Sequence, residues 1–360
     1  MKMLPLAGSL AVALLASGSL VPADAGQKKP FDRIVVFGDS LSDQGNTESA
    51  FGLPPAKLYY HGRYSDYENY IDLLAGQFGI KVTNSLARGG TNYAYGFATT
   101  GPQNAPPPVP FTPQRIDQQE QTYLSAVNGK ADPKALYVIE SGATDILGLF
   151  FAAETDPLEL LLIPTLDLTG TANVAFETKK LLNAGAEHII VSNVPDLGLL
   201  PVVTESSGLS GIIGPTAAND AAELWNYDLA NDVLPLGPKV TLWDFYNTTS
   251  LALAIAPKLG ITNTTTECVE GYGTTPGAVD SCTPTVEATH AFFDQVHFTG
   301  RGFYGMEQGA LCALGYTNVF DAPQSECVVS QNSMHVGRSG RFIPAATFEQ
   351  LARGARTKHT

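Results

Sequence analysis

Five short β-rich runs punctuate the chain: Ile34–Phe37, Ile80–Thr83, Leu136–Ile139, His188–Val194 and Val240–Trp243. Longer stretches with apolar residues at helical spacing lie between them, at Tyr67–Phe78, Ile116–Val127, Asn173–Ala184 and Ala217–Val233. A further helix, Gly302–Leu314, follows Thr299, which is placed to cap it. A strand that is apolar along its whole length has no solvent face. Strands of that kind, alternating with helices, fit an α/β fold. The expected architecture is a single doubly wound, flavodoxin-like parallel sheet with helices on both faces. Sites in such sheets form beyond the carboxyl ends of the strands.

Three stretches break the alternation. Gly101–Pro113 carries six prolines, Thr204–Pro215 is rich in serine and glycine, and Thr248–Thr289 is a long insertion with two cysteines. Loops of that length in a globular chain usually carry function.

The 360 residues divide into three parts. Residues 1–25 read as a secretory signal peptide: Lys2 gives a positive start, Leu4–Leu20 an apolar core, and Ala23-Asp24-Ala25 a cleavage site. A membrane anchor is the competing reading, but glycines and serines interrupt the short apolar core. Residues 26–327 form the expected catalytic domain. Residues 328–360 form a basic tail with Arg338, Arg341, Arg353, Arg356 and Lys358, read as a solvated appendage. The net charge of −14, with only 21 Lys and Arg, argues against nucleic acid as a partner. Secretion places the chain outside the cytoplasm, in an extracellular or periplasmic space, where disulfides persist. Four cysteines allow three pairings; Cys268–Cys282 and Cys312–Cys327 are favoured because each closes a short loop. A zinc site would need cysteines or histidines at ligand spacing, and the chain has no C-x2-C pair.

The chemistry sits at the end of the first apolar run. Ile34-Val35-Val36-Phe37 leads into Gly38-Asp39-Ser40-Leu41, so Ser40 falls on a turn leaving a buried strand. A serine hydroxyl is a weak nucleophile until a base takes its proton, and the base needs a carboxylate to hold its tautomer. Asp294-Gln295-Val296-His297, far down the chain, offers both. A helix cap for Ser40 and a surface role for His297 are the plain alternatives, which the joint presence of the two segments disfavours. Asp39 and Asp43 are read as turn-forming residues that bond nearby backbone. Tyr59-Tyr60-His61 is read as aromatic packing, with substrate contact as the alternative.

Several ordered segments resemble the GDSL, or SGNH, hydrolases over most of residues 31–320. Phe37–Asp43 resembles the block that supplies the family's nucleophile. Tyr60-His61-Gly62-Arg63-Tyr64-Ser65 is similar to a stretch found in secreted members. Gly90-Thr91-Asn92-Tyr93-Ala94-Tyr95-Gly96 resembles the second block, Asn193-Val194-Pro195-Asp196-Leu197-Gly198 a further signature, and Asp294–His297 the final D-x-x-H. The resemblance implies an SGNH-type fold, catalytic Ser40, His297 and Asp294, and an oxyanion hole built from the N–H groups of Ser40 and Gly96.

Two departures stand out. Gly96-Phe97-Ala98 replaces the usual G-G-A, and Gly142-Ala143-Thr144-Asp145 replaces G-x-N-D, so Thr144 stands where the family places an asparagine donor. A threonine hydroxyl is shorter than an asparagine amide and donates a single bond. Loss of one oxyanion donor typically costs roughly 10²–10³ in kcat.

The expected protein is therefore a secreted serine esterase or lipase that needs no metal or organic cofactor. Its expected substrate is a small-molecule or lipid ester, and a lipid would bring it into transient contact with a membrane surface. A carbohydrate acetyl esterase of the same fold, and an extracellular binding module without turnover, are the alternatives.

Overall fold

The structure is a computed structural model that describes residues 30–330, except 103–108, 154–161, 205–208, 272, 274 and 276–277. The leader expected at 1–25 and the tail from 331 lie outside the described residues. Four strands, β1 (Arg33–Gly38), β2 (Ala135–Glu140), β3 (His188–Ser192) and β4 (Val240–Trp243), form a parallel sheet in the order β1-β2-β3-β4. Ile34–Phe37 and the whole of β2 are buried, as expected for strands covered on both faces. The register sets Gly38 beside Glu140, so the carboxyl ends of β1 and β2 are level.

The second strand expected from sequence is displaced. Ile80–Thr83 is not a strand; a later extended segment takes its place at the free edge of β1. Val36 donates to the Thr91 carbonyl, Tyr93 to that of Val36, and Tyr95 to that of Gly38. The residues of 80–83 lie outside this segment, where the Thr83 carbonyl accepts from the N–H groups of Thr91 and Asn92. With 91–95 counted, the spatial order is 2-1-3-4-5 in chain sequence, the flavodoxin-like order. The crevice where connections diverge then falls at the end of β1.

Ten helices accompany the sheet in the described residues: α1 (Asn46–Phe51), α2 (Tyr70–Gln77), α3 (Ile116–Ala126), α4 (Ala143–Ala153), α5 (Ile163–Ala184), α6 (Pro201–Thr204), α7 (Leu209–Val233), α8 (Phe245–Ile255), α9 (Pro284–Glu287) and α10 (Gly300–Ala313). α3, α4, α5 and α7 pack in one group, and α2, α8 and α10 in another. The core between them holds Trp225, Trp243, Phe245 and Phe303, all fully buried.

Helix starts follow side-chain capping. α2 begins later than its apolar pattern because Asn69 accepts from the N–H groups of Ile71 and Asp72, while Asp72 accepts from the Asn69 N–H. Thr299 caps α10 by accepting from the Gly302 N–H, as its position in sequence implied. α7 starts upstream of the expected Ala217, with a bend where Gly214 has φ 65 immediately before Pro215.

Both local disulfides are present, Cys268–Cys282 and Cys312–Cys327. The second ties the end of α10 to a segment that runs along β4, where Val328 bridges Trp243 and Val329 donates to the Leu242 carbonyl. That segment covers an otherwise unpaired strand edge. Among the described residues, no helix is long and apolar enough to cross a membrane.

Candidate active site

The turn after β1 is built by its own aspartate. Asp39 Oδ1 accepts from the Leu41 N–H at 3.0 Å, and the Asp39 carbonyl accepts from the N–H groups of Ser42 and Asp43. Ser40 therefore sits on the outer side of a tight turn at the carboxyl end of the sheet. Gly38 is required below it: a Cβ there would lie 2.8 Å from Ser42 Cβ and 2.9 Å from the Glu140 carbonyl. From α3, the Gln119 side chain clamps the same residue, accepting from the Gly38 N–H and donating to its carbonyl, both at 2.9 Å.

The second half of the site comes from the loop before α10. Asp294 Oδ1 accepts from the N–H groups of Val296 and His297 at 2.8 and 2.7 Å, so the carboxylate folds its own loop. His297 Nδ1 lies 2.8 Å from each Asp294 oxygen, and His297 Nε2 lies 2.7 Å from Ser40 Oγ. Nδ1 facing the carboxylate sets the tautomer in which Nε2 accepts from the serine hydroxyl. Asp294 is fully buried and Ser40 is 8% exposed. The structure thus joins Ser40, His297 and Asp294 in a continuous hydrogen-bonded line.

The insertion containing the first disulfide braces this loop. Cys268 and Val269 donate to the Phe293 carbonyl at 3.0 and 2.8 Å, and Gln295 donates to that of Gly271 at 2.9 Å. His290 lies near the two sulfurs, but they are bonded to each other and its ring bonds Asn263 and Val286. The Tyr64 ring lies against the imidazole, with centroids 4.8 Å apart. Gly96 makes room for that ring, since a Cβ there would fall 2.1 Å from the Tyr64 hydroxyl.

Two of the expected oxyanion donors are engaged elsewhere. The Gly96 N–H donates to Thr47 Oγ1 at 2.8 Å and to Asp43 Oδ2 at 3.1 Å. The Thr144 hydroxyl donates to Asp39 Oδ2 at 2.9 Å, which uses its single proton. The buried Asp39 carboxylate draws the Thr144 hydroxyl inward to serve its Oδ2, while Gly96 adds to an Asp43 carboxylate that already accepts from the Gly45, Asn46 and Thr47 N–H groups. The Ser40 N–H has no acceptor among the described residues. Phe97, next to Gly96, holds a left-handed φ of 66, which is uncommon for a bulky residue.

Beneath the nucleophile lies an acidic pair that the motifs did not reveal. Burial and the adjacent Asp39 push the Glu140 carboxyl well above the usual range, so it keeps its proton. Burial also raises Asp39, which hydrogen-bonds Glu140. Tyr70 donates to Ser42 Oγ at 2.8 Å, and Ser42 donates to Glu140 Oε2 at 2.9 Å. A glutamate ending a wholly buried strand was the available signal. Tyr59 was read as packing; its hydroxyl also donates to Asp294 Oδ2 at 2.7 Å.

The model of the GDSL-like lipase/acylhydrolase family matches residues 34–303, from β1 into α10. The chain belongs to that family. The family's description names lipases and acylhydrolases. It is 33% identical over 184 residues to Lipase 1 of Photorhabdus luminescens, a match covering 49% of this chain and 24% of the lipase. The chain therefore spans about a quarter of that relative. It is 27% identical over 263 residues to a phosphatidylcholine-sterol acyltransferase of Aeromonas hydrophila, covering 72% of each. A GDSL esterase/lipase of Zea mays is 26% identical over 302 residues, covering 70% of this chain and 74% of the relative.

Proposed function

We propose that this GDSL-like hydrolase cleaves carboxylic esters through an acyl-enzyme on Ser40. The observation that carries the reading is the 2.7 Å contact from Ser40 Oγ to His297 Nε2, with Nδ1 held 2.8 Å from Asp294. The Ser40 oxygen attacks the ester carbonyl as its proton moves to His297 Nε2. Asp294 holds the ring and stabilises the imidazolium. The imidazolium then gives its proton to the departing alcohol oxygen as the carbon–oxygen bond breaks. Water, deprotonated by the same nitrogen, attacks the acyl-enzyme to release the acid and restore Ser40.

The oxyanion hole in this reading rests first on the Ser40 N–H. Gly96 and Thr144 contribute only if substrate draws their hydrogens away from Asp43, Thr47 and Asp39. An apolar acyl group is favoured by an aromatic run leading outward from the imidazole. Tyr64 meets Phe97 at 5.9 Å, Phe97 meets Phe111 at 5.9 Å, and Phe111 stacks on Phe51 at 4.5 Å. Phe51 is 41% exposed, so the run reaches the surface. A catalytic unit at 26–327, a cleaved leader at 1–25 and a site of action outside the cytoplasm complete the reading. The two disulfides support that location.

Hydrolysis of p-nitrophenyl esters of graded acyl length by the parent and by Ser40→Ala tests the proposal. The parent should turn over, with a preference among chain lengths, and the variant should lose nearly all activity while keeping its fold. A variant within a few-fold of the parent would remove Ser40 from the mechanism.

A further inference from the structure

Tyr59 is the remaining donor to the triad carboxylate, and nothing in the reaction as written uses it. It is 3% exposed, its hydroxyl lies 2.7 Å from Asp294 Oδ2, and its ring packs edge-on to Phe293 with centroids 5.2 Å apart. Cys268 and Val269 complete the apolar pocket around it. The two Asp294 oxygens are served unequally. Oδ1 takes two backbone N–H groups and the imidazole, whereas Oδ2 takes only the imidazole and Tyr59. Without the phenol, Oδ2 would face an apolar wall with no donor but His297. Burial and the Asp294 charge push the Tyr59 hydroxyl up, so it acts as a donor.

We propose that Tyr59 is a positioning residue that acts through Asp294, as the fourth member of a chain running Ser40–His297–Asp294–Tyr59. The inference rests on the ester-hydrolase reading of the triad. The phenol fixes the rotation of the carboxylate about its last bond, so that both oxygens remain in reach of Nδ1. It also shares the carboxylate's negative charge and so moderates the pull on the imidazole proton. Loss of the phenolic proton donor should therefore have two effects. The imidazole becomes less well aimed, and the more concentrated charge on Asp294 holds a proton on His297 to higher pH. Three other groups face the pair: Asp39, whose charge reaches His297, Glu140 bonded behind Asp39, and the Tyr64 ring tilted against the imidazole. None of them changes in the substitution below.

The test is Tyr59→Phe, which keeps the ring in its pocket and removes only the hydroxyl. Steady-state ester hydrolysis across pH is measured for the parent, Tyr59→Phe, Asp294→Asn and the double variant, with Ser40→Ala alongside. The proposal expects kcat about tenfold lower in Tyr59→Phe with KM within about twofold. The pH at which activity appears should rise by about half a unit. In the Asp294→Asn background, Tyr59→Phe should add little, because its route to the reaction is already cut. A Tyr59→Phe enzyme with the parent's kcat and pH profile overturns the proposal, as does a full tenfold further loss in the double variant. A purely structural tyrosine would lower the melting temperature without moving the pH profile, which also overturns it. Ser40→Ala separates the two levels. Activity retained there defeats the triad reading and the proposal together, whereas an inactive Ser40→Ala with a silent Tyr59→Phe defeats the proposal alone.

Discussion

Thr144 shows how a motif position and its side-chain direction can part company. Alignment with the family's third block places it at a donor position, and it does stand beside the nucleophile's turn. Its hydroxyl nevertheless points to Asp39, because a buried carboxylate next to Glu140 needs every donor within reach. Thr144→Val should therefore act mainly on stability. Leaving Asp39 Oδ2 short of a donor is expected to cost about 1–3 kcal/mol, whereas Thr144→Ser keeps the bond and most of the stability. Urea denaturation of the three proteins measures this. Equal midpoints for parent and Val variant, together with a large fall in kcat for Val, would return the hydroxyl to the oxyanion. Ser40, Asp294 and His297 were legible because their backbone context is short-range: a strand ending in a turn, and an Asx-type loop three residues long. Tyr59 and Glu140 were not legible, since their partners lie far away in sequence and no local pattern announces them.

At the scale of elements, β1 and β2 could be read because each is a nearly continuous apolar run buried in the sheet, and β3 and β4 because short β-rich runs alternate with helical patterns. The 91–95 segment could not, because glycines flank it and polar Thr91 and Asn92 open it. Its role comes from pairing with β1 and from Asn92, whose side chain donates to the Ser42 carbonyl at 2.7 Å. The long insertion before His297 also gained its meaning only in three dimensions, as the brace on the Asp294 loop and the wall behind Tyr59. Cys268→Ser with Cys282→Ser should accordingly do two things. Opening a loop with a sequence separation of 14 should cost about 2–4 kcal/mol. It should also lower kcat at temperatures well below the melting transition, because Phe293 and Tyr59 lose their support. Cys312→Ser with Cys327→Ser should destabilise without that kinetic effect. Assays at 15–20 °C beside thermal melts separate the outcomes; equal kinetic losses in both pairs would contradict the brace.

Among the described residues, burial pushes several carboxyl groups well above the usual carboxylate range. Burial, with the neighbouring Glu177 charge, pushes Glu120 up to about 9, and burial with nearby aspartates pushes Asp167 up to about 8. Burial takes Glu307 up to about 7 and raises Glu140 further from its usual range. Between the ordinary carboxyl range and these values, the native state binds protons that the unfolded chain has released. Stability therefore falls as pH rises through that window, with each such group contributing up to about 1.4 kcal/mol per unit. The repulsion of a chain with net charge −14 acts in the same direction. Melting temperatures should be higher at pH 5 than at pH 8. A flat or rising profile would mean that these carboxyls are ionised in the fold.

The central claim is that Ser40 becomes acylated because His297 and Asp294 activate it. A fluorophosphonate reacts with such a serine and with little else, and peptide mapping by mass spectrometry locates the adduct. The account predicts one equivalent of label on the peptide that contains Ser40, fast in the parent and strongly slowed in His297→Ala. Label on a different residue, or labelling of Ser40 at an unchanged rate without His297, would contradict it.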